Sequence, residues 1–150
     1  MSIVNEVGAG LDGLGQLRAM LQAKRKPGIA ESLQFDLVEV EKGKALFVGT
    51  PGDHAYNPIG MVHGGYAATL LDSACGCAVH TCLSATQSYT TLELKVAFHK
   101  TITRETGPLR AEGSVVSMGR RAAFAEAKLL DSQGKLYASA TSTLLVMDRV

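Results

Sequence analysis

Apolar side chains recur along this chain with two different periods. Leu11, Leu14, Leu17, Met20 and Leu21 fall three or four residues apart. That spacing gathers them on one face and predicts an amphipathic helix over 11–26, stopped by Pro27-Gly28. Such a face packs against a core or another copy of the chain. Two strand-like runs follow, 33–40 and 45–50, around Glu41-Lys42-Gly43-Lys44, which predicts a hairpin. Residues 51–63, PGDHAYNPIGMVH, are rich in turn formers and predict a loop. Residues 65–82 are apolar on nearly every side and rich in Ala, Ser, Gly and Cys, which predicts a buried helix. Its small side chains would let a sheet wrap closely around it. Four further strand-like runs cover about 88–99, 108–118, 121–130 and 136–147. Within the third, Ala123, Ala125, Ala127 and Leu129 alternate with Phe124, Glu126 and Lys128, a half-buried strand pattern. Asp131-Ser132-Gln133-Gly134 supplies a hairpin turn.

Strands that follow one another without intervening helices imply an antiparallel sheet. The order therefore predicts an α+β fold, with the apolar helix packed on one sheet face. No repeat, linker or low-complexity stretch divides the 150 residues, so they read as one domain with a helical extension over 1–28.

Charge and composition remove several function classes. Fifteen basic against fourteen acidic residues leave a net charge of +1, without the basic excess that attracts nucleic acid or anionic lipid. Trp is absent and aromatics are 5%, which argues against base-stacking platforms. The N-terminus does not read as a secretory signal, because Glu6 and Asp12 interrupt it and Lys24-Arg25-Lys26 follow its apolar part. The apolar run around 61–83 carries Asp72 and His80, which argues against a membrane span. Cys75, Cys77 and Cys82 are odd in number and clustered, unlike a disulfide framework. On a helix Cys75 and Cys77 point roughly 200° apart, so they do not share a metal. These features fit a cytoplasmic protein with buried thiols.

One carboxylate stands out. Between His54 and Leu92, Asp72 is the only Asp, Glu, Lys or Arg, and it lies mid-helix. A lone buried carboxylate is costly without partners or a task. The segment Asn57-Pro58-Ile59-Gly60-Met61-Val62-His63-Gly64-Gly65 leads into the same helix. Two glycines allow close approach to a backbone whose first amides lack internal partners and sit at the positive end of the helix dipole. Such amides can stabilise a developing oxyanion, and the Asn57 side chain can add a donor. Gly64 and Asp72 are eight residues apart, roughly 12 Å along a helix. A base must lie within about 3 Å of its reactants. Asp72 could therefore serve an oxyanion site on a second chain, across a two-fold axis that would create two composite sites.

Residues 57–74, NPIGMVHGGYAATLLDSA, resemble the signature of hotdog-fold thioesterases, most closely the PaaI type of phenylacetate degradation. That pattern has an Asn, then a Gly, then His-Gly-Gly, with an Asp eight residues after the first Gly of the pair. The order of elements extends the resemblance over about 30–147. It implies an antiparallel sheet wrapped around a long central helix, and hydrolysis of acyl-CoA thioesters by a homodimer or a homotetramer. It implies that Gly64 donates its N–H to the thioester carbonyl and that Asn57 holds or polarises the carbonyl or the water. Asp72 from the partner subunit becomes general base or nucleophile, and Thr91, with Thr90 beside it, positions the water. His63 shapes the turn, Gly65 lies against the substrate, and Arg120 or Arg121 meets the phosphates of coenzyme A. No cofactor or metal is implied beyond the coenzyme A of the substrate. The chain departs from the pattern at His99-Lys100-Thr101, where similar proteins often carry an Arg-Pro pair.

Two other functions share this fold. A non-catalytic acyl-CoA binding module would leave Asp72 without a task. A hydratase or dehydratase would resemble an Asp-x4-His helix, but the residue five after Asp72 is Cys77. The other histidines, His54, His80 and His99, lack metal-ligand spacing.

Overall fold

The computed structural model describes residues 2–149. Three short helices, α1 (Ile3–Val7), α2 (Gly13–Gln22) and α3 (Gly28–Leu33), precede the hairpin β1 (Phe35–Glu41) and β2 (Lys44–Gly49). The long helix α4 (Gly64–His80) follows, then β3 (Gln87–Phe98), β4 (Leu109–Met118), β5 (Ala122–Asp131) and β6 (Leu136–Asp148). The strands form one antiparallel sheet in the order β1-β2-β4-β5-β6-β3, with α4 across its inner face. This is the α+β architecture that the order of elements predicts and the hotdog arrangement that the resemblance implies.

The alternation on β5 explains how close α4 comes. Ala123, Ala125, Ala127 and Leu129 are buried inward, opposite Leu144, Ser142, Ala140 and Ala138 of β6. Small residues on both layers bring the helix down onto the strands. The limit is reached at Gly113 of β4, where a Cβ would stand 2.2 Å from the Ala74 carbonyl oxygen of α4. Backbone meets backbone there, so no rotamer change relieves the clash. Gly113→Ala should cost on the order of 1–3 kcal/mol or more. Thermal unfolding should register this as a melting temperature lower by roughly 3–10 °C; an unchanged melt would mean that the layers can separate freely.

Two features of the sequence reading are corrected. The single helix over 11–26 is shorter, and a further helix follows it. Asp12 Oδ1 caps α2 by accepting the Gly15 N–H at 2.8 Å, and the helix ends before Lys24, which turns left-handed at φ 52°. Pro27 then caps α3 rather than closing a helix, because its fixed φ suits a helix start as well as a stop. Residues 28–33 are thereby helical, and β1 begins at Phe35, after left-handed Gln34. The second correction concerns α4, which is covered by the sheet and, at its C-terminal end, by α2, but not all round. Gly65, Ala68, Thr69, Asp72, Ser73 and Cys77 recur at steps of one to four along a stripe that the chain leaves partly open.

The N-terminal helices are fastened to the sheet by Arg149. Its Nε donates to the Gln87 carbonyl at 2.8 Å, and its terminal nitrogens donate to the side-chain oxygens of Gln16 and Asn5. Gln16 Oε1 also meets His80 Nε2 at 2.9 Å, and the His80 ring lies edge-on to Tyr89. Burial, with a smaller contribution from the Arg149 charge, lowers the His80 pKa to about 4. The unfolded chain, with a His pKa near 6.5, binds more protons than the native one between those values. Stability is therefore lost as pH falls from about 6.5 to about 4, by roughly 3 kcal/mol from this residue. Denaturant titrations of wild type and His80→Gln should diverge over that window, with the steeper acid loss in wild type. Parallel curves would contradict the neutral, buried histidine.

Candidate active site

The segment entering α4 is held by its own polar groups. Asn57 Oδ1 accepts the N–H of Ile59 at 3.1 Å and of Met61 at 3.0 Å, while the Asn57 N–H donates to the Met61 carbonyl at 2.7 Å. Gly60, at φ 83°, makes the reversal possible. These bonds occupy the carbonyl end of the Asn57 side chain and leave its amide N–H groups without an acceptor among the described residues. His63 is the N-cap of α4, and its Nδ1 accepts the Gly65 N–H at 2.8 Å. An accepting Nδ1 places the ring proton on Nε2. Gly65 thus spends its N–H on the cap. The Gly64 N–H meets no acceptor among the described residues. It opens with Asn57, His63, Phe98 and Lys100 onto a depression of about 310 Å3. The Phe98 ring lies so close that a Cβ on Gly64 would stand 3.0 Å from its tip.

Asp72 sits on the open stripe of α4, half-buried, and Thr91 Oγ1 donates to its Oδ1 at 3.1 Å. Alternation on β3 decides which threonine does so. Tyr89 and Thr91 pair with inward-facing Val146 and Leu144 of β6, whereas Thr90 pairs with Leu145 and is exposed on the other face. A bulge at Leu92 follows immediately. No basic side chain forms an ion pair with Asp72 among the described residues. The carboxylate lines a cavity of about 1000 Å3 that runs beneath α2 and α3. Burial, reinforced by the Asp72 charge, pushes the Cys77 thiol up to about 12, and Cys75 is raised in the same way. Both thiols are protonated at neutral pH, which leaves no cysteine nucleophile beside the carboxylate.

One chain does not bring all these groups together. Gly64, Asn57 and His63 open onto one depression and Asp72 with Thr91 onto another. Arg120 and Arg121, exposed in the turn before β5, border a third, with Gln87 and Asp148. No group of three or more His, Cys, Asp or Glu residues could hold a metal among the described residues. His54 Nε2 instead meets the Leu33 carbonyl at 3.0 Å, and His99 Nε2 meets Ser139 Oγ at 2.7 Å.

The sequence reading missed the cavity wall supplied by Leu17, Met20 and Leu21 of α2 and by Ile29 of α3. The helical periodicity of Leu17, Met20 and Leu21 showed an apolar face but carried no sign that part of it borders open space, and Ile29 fell beyond the helix read over 11–26.

The family model described as Thioesterase superfamily matches residues 59–138, which hold Gly64, Asp72 and Thr91. The 1,4-dihydroxy-2-naphthoyl-CoA hydrolase of Listeria monocytogenes is 24% identical over 119 residues, 79% of this chain and 95% of that protein. A phenylacetic acid degradation-related protein of Ralstonia eutropha JMP134 superposes with a TM-score of 0.76 at 27% identity, over 85% of this chain and 97% of that one. A Streptococcus mutans UA159 protein solved with acetyl-CoA gives a TM-score of 0.69 at 27% identity, over 77% and 90%. With the family match spanning more than half of its length and the hotdog sheet wrapped on α4, this chain belongs to the thioesterase superfamily.

Proposed function

We propose that the protein is a PaaI-type acyl-CoA thioesterase, active as a homodimer with two composite sites. The observation that carries this reading is Asp72, a carboxylate without a basic partner, held by Thr91 at 3.1 Å on an otherwise apolar helix. The likeness to a phenylacetic acid degradation-related protein and the His63-Gly64-Gly65 turn with its unclaimed N–H support it. So do the open stripe of α4 and the unpaired edge of β3, which a second copy related by a two-fold axis would cover.

In this mechanism the thioester carbonyl receives hydrogen bonds from the Gly64 N–H and the Asn57 amide of one protomer. Asp72 of the other protomer takes a proton from water, and Thr91 holds the carboxylate in place. The hydroxide oxygen attacks the carbonyl carbon, and the negative charge moves to the oxygen facing Gly64. Collapse of that intermediate breaks the C–S bond, and the proton on Asp72 passes to the departing CoA sulfur. An oxyanion donor contributes roughly 3–4 kcal/mol, and a positioned base about 10²–10⁴-fold in rate. Thioesters are already activated, so these two contributions suffice without a metal.

The direct test measures free thiol released from acetyl-, butyryl-, decanoyl- and phenylacetyl-CoA. Turnover above the spontaneous rate with at least one of them is the expected result. Saturable binding of all four without release would make the chain an acyl-CoA binding module.

A further inference from the structure

Resting on the thioesterase reading, we infer that the N-terminal helices wall an acyl-binding cavity that selects an apolar acyl group of roughly ten carbons. The cavity of about 1000 Å3 is at the upper end of the range for small-molecule sites, which lies near 300–1,000 Å3. Asp72 and Thr91 line it together with an apolar surface of Leu17, Met20, Leu21, Ile29, Phe35 and Phe47. Two of its rim cations are neutralised in place, and a third, Lys24, is exposed at the end of α2 without an ion pair among the described residues. Arg25 pairs with Glu6 at 3.1 Å and Lys26 with Asp36 at 2.9 Å, so neither draws a counterion inward.

The length follows from α4. Cavity-lining residues on this helix run from Asp72 through Cys77 to His80. The eight steps from Asp72 to His80 span roughly 12 Å. At C–C bonds of about 1.5 Å in zigzag, that reaches roughly eight to ten methylenes. The far end closes on His80, whose Nε2 is bound to Gln16, and on Tyr89, so no charged side chain of α4 faces the tail. Arg149 also borders the cavity, but its guanidinium is occupied by Gln87, Gln16 and Asn5. The wall lies outside the residues matched by the family model, since α1–α3 precede them.

The test fills the cavity from the arm. Leu21 is half-buried and Ile29 is exposed, so Leu21→Trp and Ile29→Trp can enlarge the wall without rebuilding the core. The kcat/KM ratio for decanoyl-CoA over butyryl-CoA should fall by about tenfold or more in each variant. An unchanged ratio in folded variants overturns the inference and leaves the thioesterase reading intact. If wild type releases no thiol from any acyl-CoA, that reading fails. The cavity is then decided by binding of the non-hydrolysable thioether S-decyl-CoA. Weakening by about tenfold in Leu21→Trp supports the wall, while equal affinity, or no binding by wild type, overturns it.

Discussion

Asp72→Asn should release thiol from acyl-CoA about 10²–10⁴-fold more slowly than wild type, with a much smaller change in KM. The substitution keeps the shape of the side chain and keeps an oxygen that can accept from Thr91 Oγ1, the contact seen at 3.1 Å. What it removes is the ability to take a proton from water. Because Asp72 is on the open stripe of α4 and has no ion-pair partner, its loss leaves no buried cation unpaired. The variant should therefore melt close to wild type. A structural carboxylate would behave in the opposite way, with stability lost and turnover kept. Equal kcat in the two proteins would remove Asp72 from the chemistry. A fall confined to KM would make it a binding group instead, and would favour the non-catalytic acyl-CoA module.

The parts of this molecule that could be read from sequence are those in which one physical signal dominates. Asp72 stands out because a charge in an apolar helix is expensive. The four strands after α4 stand out because their inward and outward faces differ, as at Ala123–Leu129. Thr91 and Thr90 are chemically equivalent in the sequence. Only the register of β3 against β6, set before the bulge at Leu92, turns the first toward Asp72 and the second away. The arm was harder to read. Pro27 is compatible with ending one helix or starting the next, and here it starts α3. The role of Gly65 was also open, since an N–H at a helix start can serve a ligand or a cap. The His63 imidazole claims it, which leaves the Gly64 N–H, the Asn57 amide and the His63 Nε2–H as the unclaimed donors at this turn.

Gly64→Pro isolates the first of those donors. Gly64 is the first residue of α4, where proline is well tolerated and the deleted N–H has no role inside the helix. His63 already has ψ 135°, the extended conformation that a following proline demands. The added ring would press on the tip of Phe98, an exposed side chain that can move aside. Helix content and melting temperature should therefore be retained, while kcat falls by about 10²–10³-fold. Mixing then asks where the site is assembled. Chains carrying Gly64→Pro still have Asp72, and chains carrying Asp72→Asn still have the Gly64 N–H. In a heterodimer with composite sites, one site recovers both groups and the other loses both. Equal amounts assorting at random make half of the dimers mixed, so about a quarter of wild-type turnover should return. Co-expression of two differently tagged chains, followed by thiol release from the purified mixture, measures it. If each protomer built its own site, both sites of every heterodimer would be damaged, and activity would stay near that of the separate variants.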